Sequence, residues 1–137
     1  MISGVFQLRQ IGIIRSELKN IHDCQRQERE GAARAWIEVD PEYSAALEGL
    51  EAGVEILVLT WLHLADRSML KVHPRGNPEN PMRGVFATRS PHRPNPIGLH
   101  RTRVISVAPP SRLQVQPLEV IDETPVVDIK SVLSGDR

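Results

Sequence analysis

Apolar and polar side chains alternate at a period of two along most of this chain, and helical spacing appears once. Residues 33–39 show it most plainly: Ala33, Ala35, Ile37 and Val39 share one face and Arg34, Trp36 and Glu38 the other, which predicts a half-buried strand. Over residues 5–15, Phe6, Leu8, Ile11 and Ile13 fall among polar or smaller neighbours and read as an earlier strand, with Gly12 marking a bend. Residues 54–63 are rich in Ile, Val, Leu and Trp, the pattern of a buried central strand. Alternation returns at 67–73, 100–107 and 113–116, the last two parted by a Pro109-Pro110-Ser111 turn. Short strands at 118–121 and 126–129 flank an Asp122-Glu123-Thr124-Pro125 turn. The one helix opens with Asp40 as N-cap and Pro41 in the first helical position and closes at Gly49, setting Tyr43, Leu47 and Leu50 on one side. Residues 17–34 have no sustained period and read as a long loop, and 73–82, with Pro74, Pro78 and Pro81, as an extended connection.

Seven or eight short strands, turn signals roughly every eight to twelve residues and a single short helix predict a mainly β fold, a small barrel or sandwich with long functional loops. The 137 residues are enough for one domain with a real core, spanning 1–137.

One stretch departs from the strand pattern. Residues 84–99 read GVFATRSPHRPNPIGL: Val85, Phe86, Ala87 and Thr88 begin as a strand, and then Pro91, Pro94 and Pro96 exclude both helix and central strand. What remains is an ordered, extended loop carrying Arg89, Ser90, His92, Arg93 and Asn95, polar groups suited to reading a ligand. Charge points the same way. Between residues 80 and 118 there is no acid, while Arg83, Arg89, Arg93, Arg101, Arg103 and Arg112 are present. The chain is formally neutral, yet its basic middle, all arginine over that stretch, favours bidentate contacts to phosphate or carboxylate.

Other chemistries lack their residues. His22, His63, His73, His92 and His100 do not have paired zinc-site spacing, so no metal is expected. There is no P-loop, dinucleotide fingerprint or nucleophile elbow. Cys24 is alone, which excludes an intramolecular disulfide and makes a reducing, cytoplasmic setting the expectation. No apolar run approaches a membrane span, and no signal peptide is recognisable at the start.

IGIIRS at residues 11–16, Arg26-Gln27, GVFATRSPHRPNPIGL and IDETPVVDIK at 121–130 together resemble, in order, the signature segments of the TrmO (YaeB, TsaA-like) methyltransferases. The resemblance covers residues 11–133, and its central motif, R-S-x-x-R-P-N-P-I-G, is long and irregular. It implies a compact β-barrel that binds S-adenosyl-L-methionine, forms a homodimer and N6-methylates a threonylcarbamoyl-adenosine next to the anticodon of a tRNA. Carried across by motif, it implies cofactor contacts from Gln25, Arg26, Gln27, His63, Leu64, Arg89, Leu99, Glu119, Val120, Ile121 and Asp122. It further implies catalytic roles for Asp122 and Arg89, while the basic stretch suggests RNA contacts from Arg83, Arg93, Arg101 and Arg103. This chain departs from the family pattern at Gln25, where Pro is usual, at Glu119, where Asp is common, and at Glu123, where D-G-T-P has Gly. Longer members carry a C-terminal extension, and this chain ends soon after its D-I-K segment.

Methyl transfer from a sulfonium needs alignment and exclusion of water and neither metal nor covalent nucleophile. The proton of the target amine would pass to Asp122, Glu119 or a water. Two other readings fit the same residues: a non-catalytic barrel whose arginine face binds RNA or an anion, and a methyltransferase acting on a small molecule.

Overall fold

A computed structural model describes residues 3–19 and 33–133. Six antiparallel strands close into a barrel: β1 (Gly12–Arg15), β2 (Ala35–Val39), β3 (Glu55–Trp61), β6 (Ile97–Ala108), β7 (Arg112–Gln116) and β8 (Pro125–Ser131), in the order β1-β2-β7-β6-β3-β8 and back to β1. A separate two-stranded ribbon pairs β4 (Lys71–Val72) with β5 (Arg83–Gly84). Alternation decides what fills the barrel: Ile14, Ile37, Ile56, Val58, Val104, Leu113, Val115 and Val126 point inward and are buried. Among the described residues, no helix is long and apolar enough to cross a membrane.

The expected β2 and β7 form as read. β3 lies between β6 and β8, but it is not buried on both faces: Ile56, Val58 and Thr60 face the core while Leu57, Leu59 and Trp61 face outward, half-exposed. Its continuous apolar run therefore reports an apolar outer wall. Gly12 begins β1 without a bend; a Cβ there would lie 2.5 Å from the Glu38 carbonyl oxygen, so the glycine allows close strand approach.

Other expectations change. Residues 5–10 join no strand, and Val5 and Phe6 stand exposed. Of 67–73 only Lys71–Val72 is a strand. Residues Val85–Ala87 form a 3-10 helix instead of a strand, because the Val85 carbonyl is taken by the Thr88 amide, the Thr88 hydroxyl and Arg93. β6 starts at Ile97, immediately after buried Pro96, three residues earlier than expected. Residues 118–121 join no sheet.

The helix after Asp40 is a 3-10 helix, Pro41–Leu47; Asp40 makes no side-chain cap bond, and two further 3-10 helices, Pro74–Gly76 and Val85–Ala87, join it. Tyr43, Leu47 and Leu50 pack against the core as their spacing implied. Most of the expected loop at 17–34, with Gln25, Arg26 and Gln27, lies outside the described residues.

Candidate functional site

β3 runs out at Trp61 into a tight turn, where the Leu62 amide donates to the Pro96 carbonyl at 2.8 Å and the Ala65 amide to Leu62 at 3.0 Å. That turn, the proline loop and residues 119–124 enclose a groove of about 470 Å³. Leu62, His63, Leu64 and Ala65 form one side, Pro91 and His92 another, and Val120 and Ile121 a third, with His100 and Thr124 also exposed to it. An apolar groove with few polar groups is the usual form of a small-molecule site.

The proline loop is rigid for a reason visible in its partners. Arg93 donates from Nε to the Ser90 carbonyl at 2.9 Å and from Nη2 to the Val85 and Thr88 carbonyls, both at 2.6 Å. Arg67 ties the far end, donating to the Pro94 carbonyl at 2.7 Å while its guanidinium lies 5.1 Å from the centre of the Trp61 ring. The Asp66 amide donates to His92 Nδ1 at 2.9 Å, which fixes that nitrogen as the acceptor. The prolines remove local donors, and side chains distant in sequence satisfy the carbonyls instead.

Behind the groove, Thr60 Oγ1 and His100 Nε2 are 2.8 Å apart. Burial holds the His100 imidazole below its ordinary pKa, and neutral. Gly98 packs against this pair, and a Cβ there would come within 2.4 Å of Thr60 Oγ1 and 2.7 Å of His100 Nε2.

Residues 118–121 belong to no strand, and Asp122 and Glu123 form the turn that leads into β8. The Leu118 amide donates to Ala33, the Asp122 amide to Leu18 and the Glu123 amide to Ile14, while the Thr124 hydroxyl donates to the Ile121 carbonyl at 2.7 Å. Val120 is only 4% exposed, yet neither its amide nor its carbonyl bonds another described residue; the Ile121 amide is likewise unpaired. Buried backbone groups are nearly always paired, so an unpaired set beside a groove marks a place for a ligand's hydrogen-bonding edge.

The Asp122 carboxylate turns to an adjoining cavity of about 610 Å³ lined by Arg15, Ser16, Lys19, Trp36 and others. It accepts from Lys19 Nζ and from the Ser16 amide, and these bonds, Lys19 first, hold its pKa below the usual carboxylate range. Glu123, in the position where glycine is usual, keeps the left-handed conformation at φ 72. That region costs a residue with a side chain roughly 1–2 kcal/mol, offset in part by the roughly 0.5–1 kcal/mol that glycine loses on ordering. Its 3.4 Å pair with Arg15 is exposed and adds little. Glu123→Gly is therefore expected to raise stability by about 0.5–1 kcal/mol in urea unfolding; a loss would show that the Arg15 pair outweighs the strain.

Of the residues singled out from the sequence, His63, Leu64, Glu119, Val120 and Ile121 line the one groove, and Asp122 stands beside it. Arg89 is exposed, does not line the groove and bonds no other described residue. Leu99 is on the outer face of β6 opposite Leu59, 47% exposed and away from the groove lining. The four arginines read as RNA contacts separate sharply. Arg93 is the loop's internal clamp, and Arg101 and Arg103 both pair with Glu55, at 2.7 and 2.5 Å. Arg83 alone of the four is exposed with a side chain that bonds no other described residue. His92, read from the sequence as part of a ligand-reading loop, does line the groove; sequence reasoning missed His100, having weighed it only as a metal ligand, although a glycine inside a strand pattern, Gly98, was the signal of close packing there.

A family model described as the tRNA-methyltransferase O N-terminal domain matches residues 13–135. A probable S-adenosyl-L-methionine-binding protein of Methanothermobacter thermautotrophicus is 42% identical over 124 residues, covering 90% of this chain and 88% of that protein. An S-adenosyl-L-methionine-binding protein of Archaeoglobus fulgidus is 42% identical over 123 residues, 90% of this chain and 86% of its own. The crystal structure of TrmO from Pseudomonas aeruginosa superposes with a TM-score of 0.73 at 34% identity, over 95% of this chain and 57% of that one. This chain thus spans little more than half the length of that solved structure.

Proposed function

The chain belongs to the tRNA-methyltransferase O family, and from that premise we propose that it is an S-adenosyl-L-methionine-dependent methyltransferase whose donor occupies the groove beside Val120. The observation that carries this reading is the buried Val120 backbone, whose amide and carbonyl bond no other described residue, beside a wall formed by Leu62, Leu64 and Ala65. An adenine fits such a place: the backbone of Val120 and Ile121 reads its edge and the apolar side chains cover its faces. The bound donor supplies an activated methyl group on sulfur. The protein's part is to align and to exclude water, which the Arg93-clamped loop and the turn at 62–65 do from two sides. In this reading residues 1–137 form one domain that contains the site.

Roles divide by environment. Glu119 lines the groove and is assigned the proton of the target amine. Asp122, held ionised by Lys19 and Ser16, is a weak base; it is assigned the ordering of residues 16–19 against 118–124 and the cofactor's hydroxyl groups. Arg89, exposed and unpaired, is assigned a substrate phosphate at the rim of the loop. Gln25, Arg26 and Gln27 enter by motif alone.

The substrate of this reading is tRNA, at the N6 of the threonylcarbamoyl-adenosine next to the anticodon. The test is transfer of a radiolabelled methyl group from S-adenosyl-L-methionine to tRNA with and without the threonylcarbamoyl group. Label in the modified tRNA alone supports the reading; donor binding without transfer to either RNA would move the assignment to a small-molecule substrate.

The same reading includes a homodimer through the outer wall of β3 and β6, where Leu57, Leu59, Trp61, Ile97 and Leu99 form a continuous half-exposed apolar surface. Leu99→Glu is expected to convert a dimer to a folded monomer in sedimentation at micromolar concentration. A wild-type monomer, or a variant that stays dimeric, would remove that surface from the account.

A further inference from the structure

The ribbon of β4 and β5 carries a feature that the donor groove does not use. Leu70, Met82 and Phe86 are 68%, 55% and 81% exposed. Leu70 and Phe86 are brought together, since Lys71 pairs with Gly84 and the Val85 amide donates to the Leu70 carbonyl at 2.9 Å, while Met82 precedes the paired Arg83 on the same ribbon. Val85 is buried and anchors the 3-10 helix, which turns the Phe86 ring out to solvent. Lys71 and Arg83 lie on this ribbon, Arg75 in the segment that joins its strands and Arg89 just beyond it; all four are exposed, and none of their side chains bonds or pairs with another described residue. Arg101, Arg103 and Arg112, by contrast, pair with Glu55 or Glu38.

We propose that this ribbon is the surface that holds the RNA, with Phe86 as the platform on which an unpaired base stacks and Arg83, Arg75 and Lys71 on the flanking phosphates. This rests on the reading of the protein as an enzyme acting on RNA, and it moves the phosphate contacts away from Arg101 and Arg103. Single-stranded RNA is recognised through stacking on aromatic rings beside cations, the combination this tip presents. A second copy of the chain suits it poorly, because a two-fold contact through this surface would set one copy's cations against those of the other. The ribbon also continues into the loop whose Pro91 and His92 line the donor groove, so a base held at Phe86 has neighbours close to the donor.

The test is fluorescence anisotropy with labelled oligouridylate, single-stranded and annealed to oligoadenylate, at several salt concentrations. Calorimetry with S-adenosyl-L-methionine and sedimentation are run on the same proteins. Phe86→Ala is expected to weaken single-strand binding about tenfold, with Phe86→Tyr close to wild type. Donor affinity should not change. Arg83→Ala is expected to lower the salt slope by about 0.7, while Arg101→Ala and Arg103→Ala leave it unchanged. Single-strand binding that Phe86→Ala leaves intact overturns the proposal while the methyltransferase reading stands; absence of donor binding in the wild type sinks that reading instead. A dimer dissociated by Phe86→Ala, or polyglutamate bound as tightly as RNA, would also overturn it.

Discussion

Replacing Arg93 with alanine is expected to lower stability by about 2–4 kcal/mol and to remove measurable S-adenosyl-L-methionine binding. Its guanidinium donates to three carbonyls, those of Ser90, Val85 and Thr88. Each bond is charge-assisted, and such bonds contribute roughly 1.5–3 kcal/mol apiece before exposure to water reduces the effect. Once they are gone, the chain from 85 to 96 has prolines where donors would be needed and no local way to hold its shape. Pro91 and His92 then leave the groove wall. Arg93→Lys should recover only part of the loss, since an ammonium on a flexible stem cannot hold three carbonyls in the fork geometry of a guanidinium. Urea midpoints and donor titration check both variants; an alanine variant of wild-type stability that binds the donor would refute the clamp.

Gly98→Ala carries the second large effect, about 3 kcal/mol of destabilisation. The new methyl would overlap Thr60 Oγ1, which is fully buried and has no open space to retreat into, and His100 Nε2, whose ring could yield only towards the groove. Overpacking of a filled interior costs roughly 1–3 kcal/mol, and a broken Thr60–His100 bond leaves a buried hydroxyl unsatisfied for about as much again. His100 also lines the groove, so its displacement should weaken donor binding together with stability. Gly98→Ala melting with the wild type would show that the barrel yields at this point.

The strands that close the barrel were legible because burial on one face imposes a period of two: β2, β7 and β8 could be read from Ile37, Leu113 and Val126 and their neighbours. β3 was legible as a strand but not in its environment, since an apolar outer wall and a second buried face look alike in sequence. The 3-10 helix at Val85–Ala87 was hidden by strand-favouring side chains, because what decides it is Arg93, further along the chain. The loop itself was visible in its prolines. The fate of its cations was not: Arg101 and Arg103 are neutralised by Glu55 only through cross-strand register, which puts Glu55 opposite Arg103. Nor does a sequence reveal that the backbone of Val120 lacks a partner, although the motif drew attention to that residue.

The central claim is that the donor lies against Val120, and the most direct measurement is the two-dimensional amide NMR spectrum of the protein titrated with S-adenosyl-L-methionine. The largest shifts are expected at Val120 and Ile121, with His63, Leu64, Ala65 and His92 following and the amides around Leu47 and Ile129 unmoved. Shifts centred instead on Ser16, Trp36 and Gln114 would place the donor in the adjoining cavity and contradict the account.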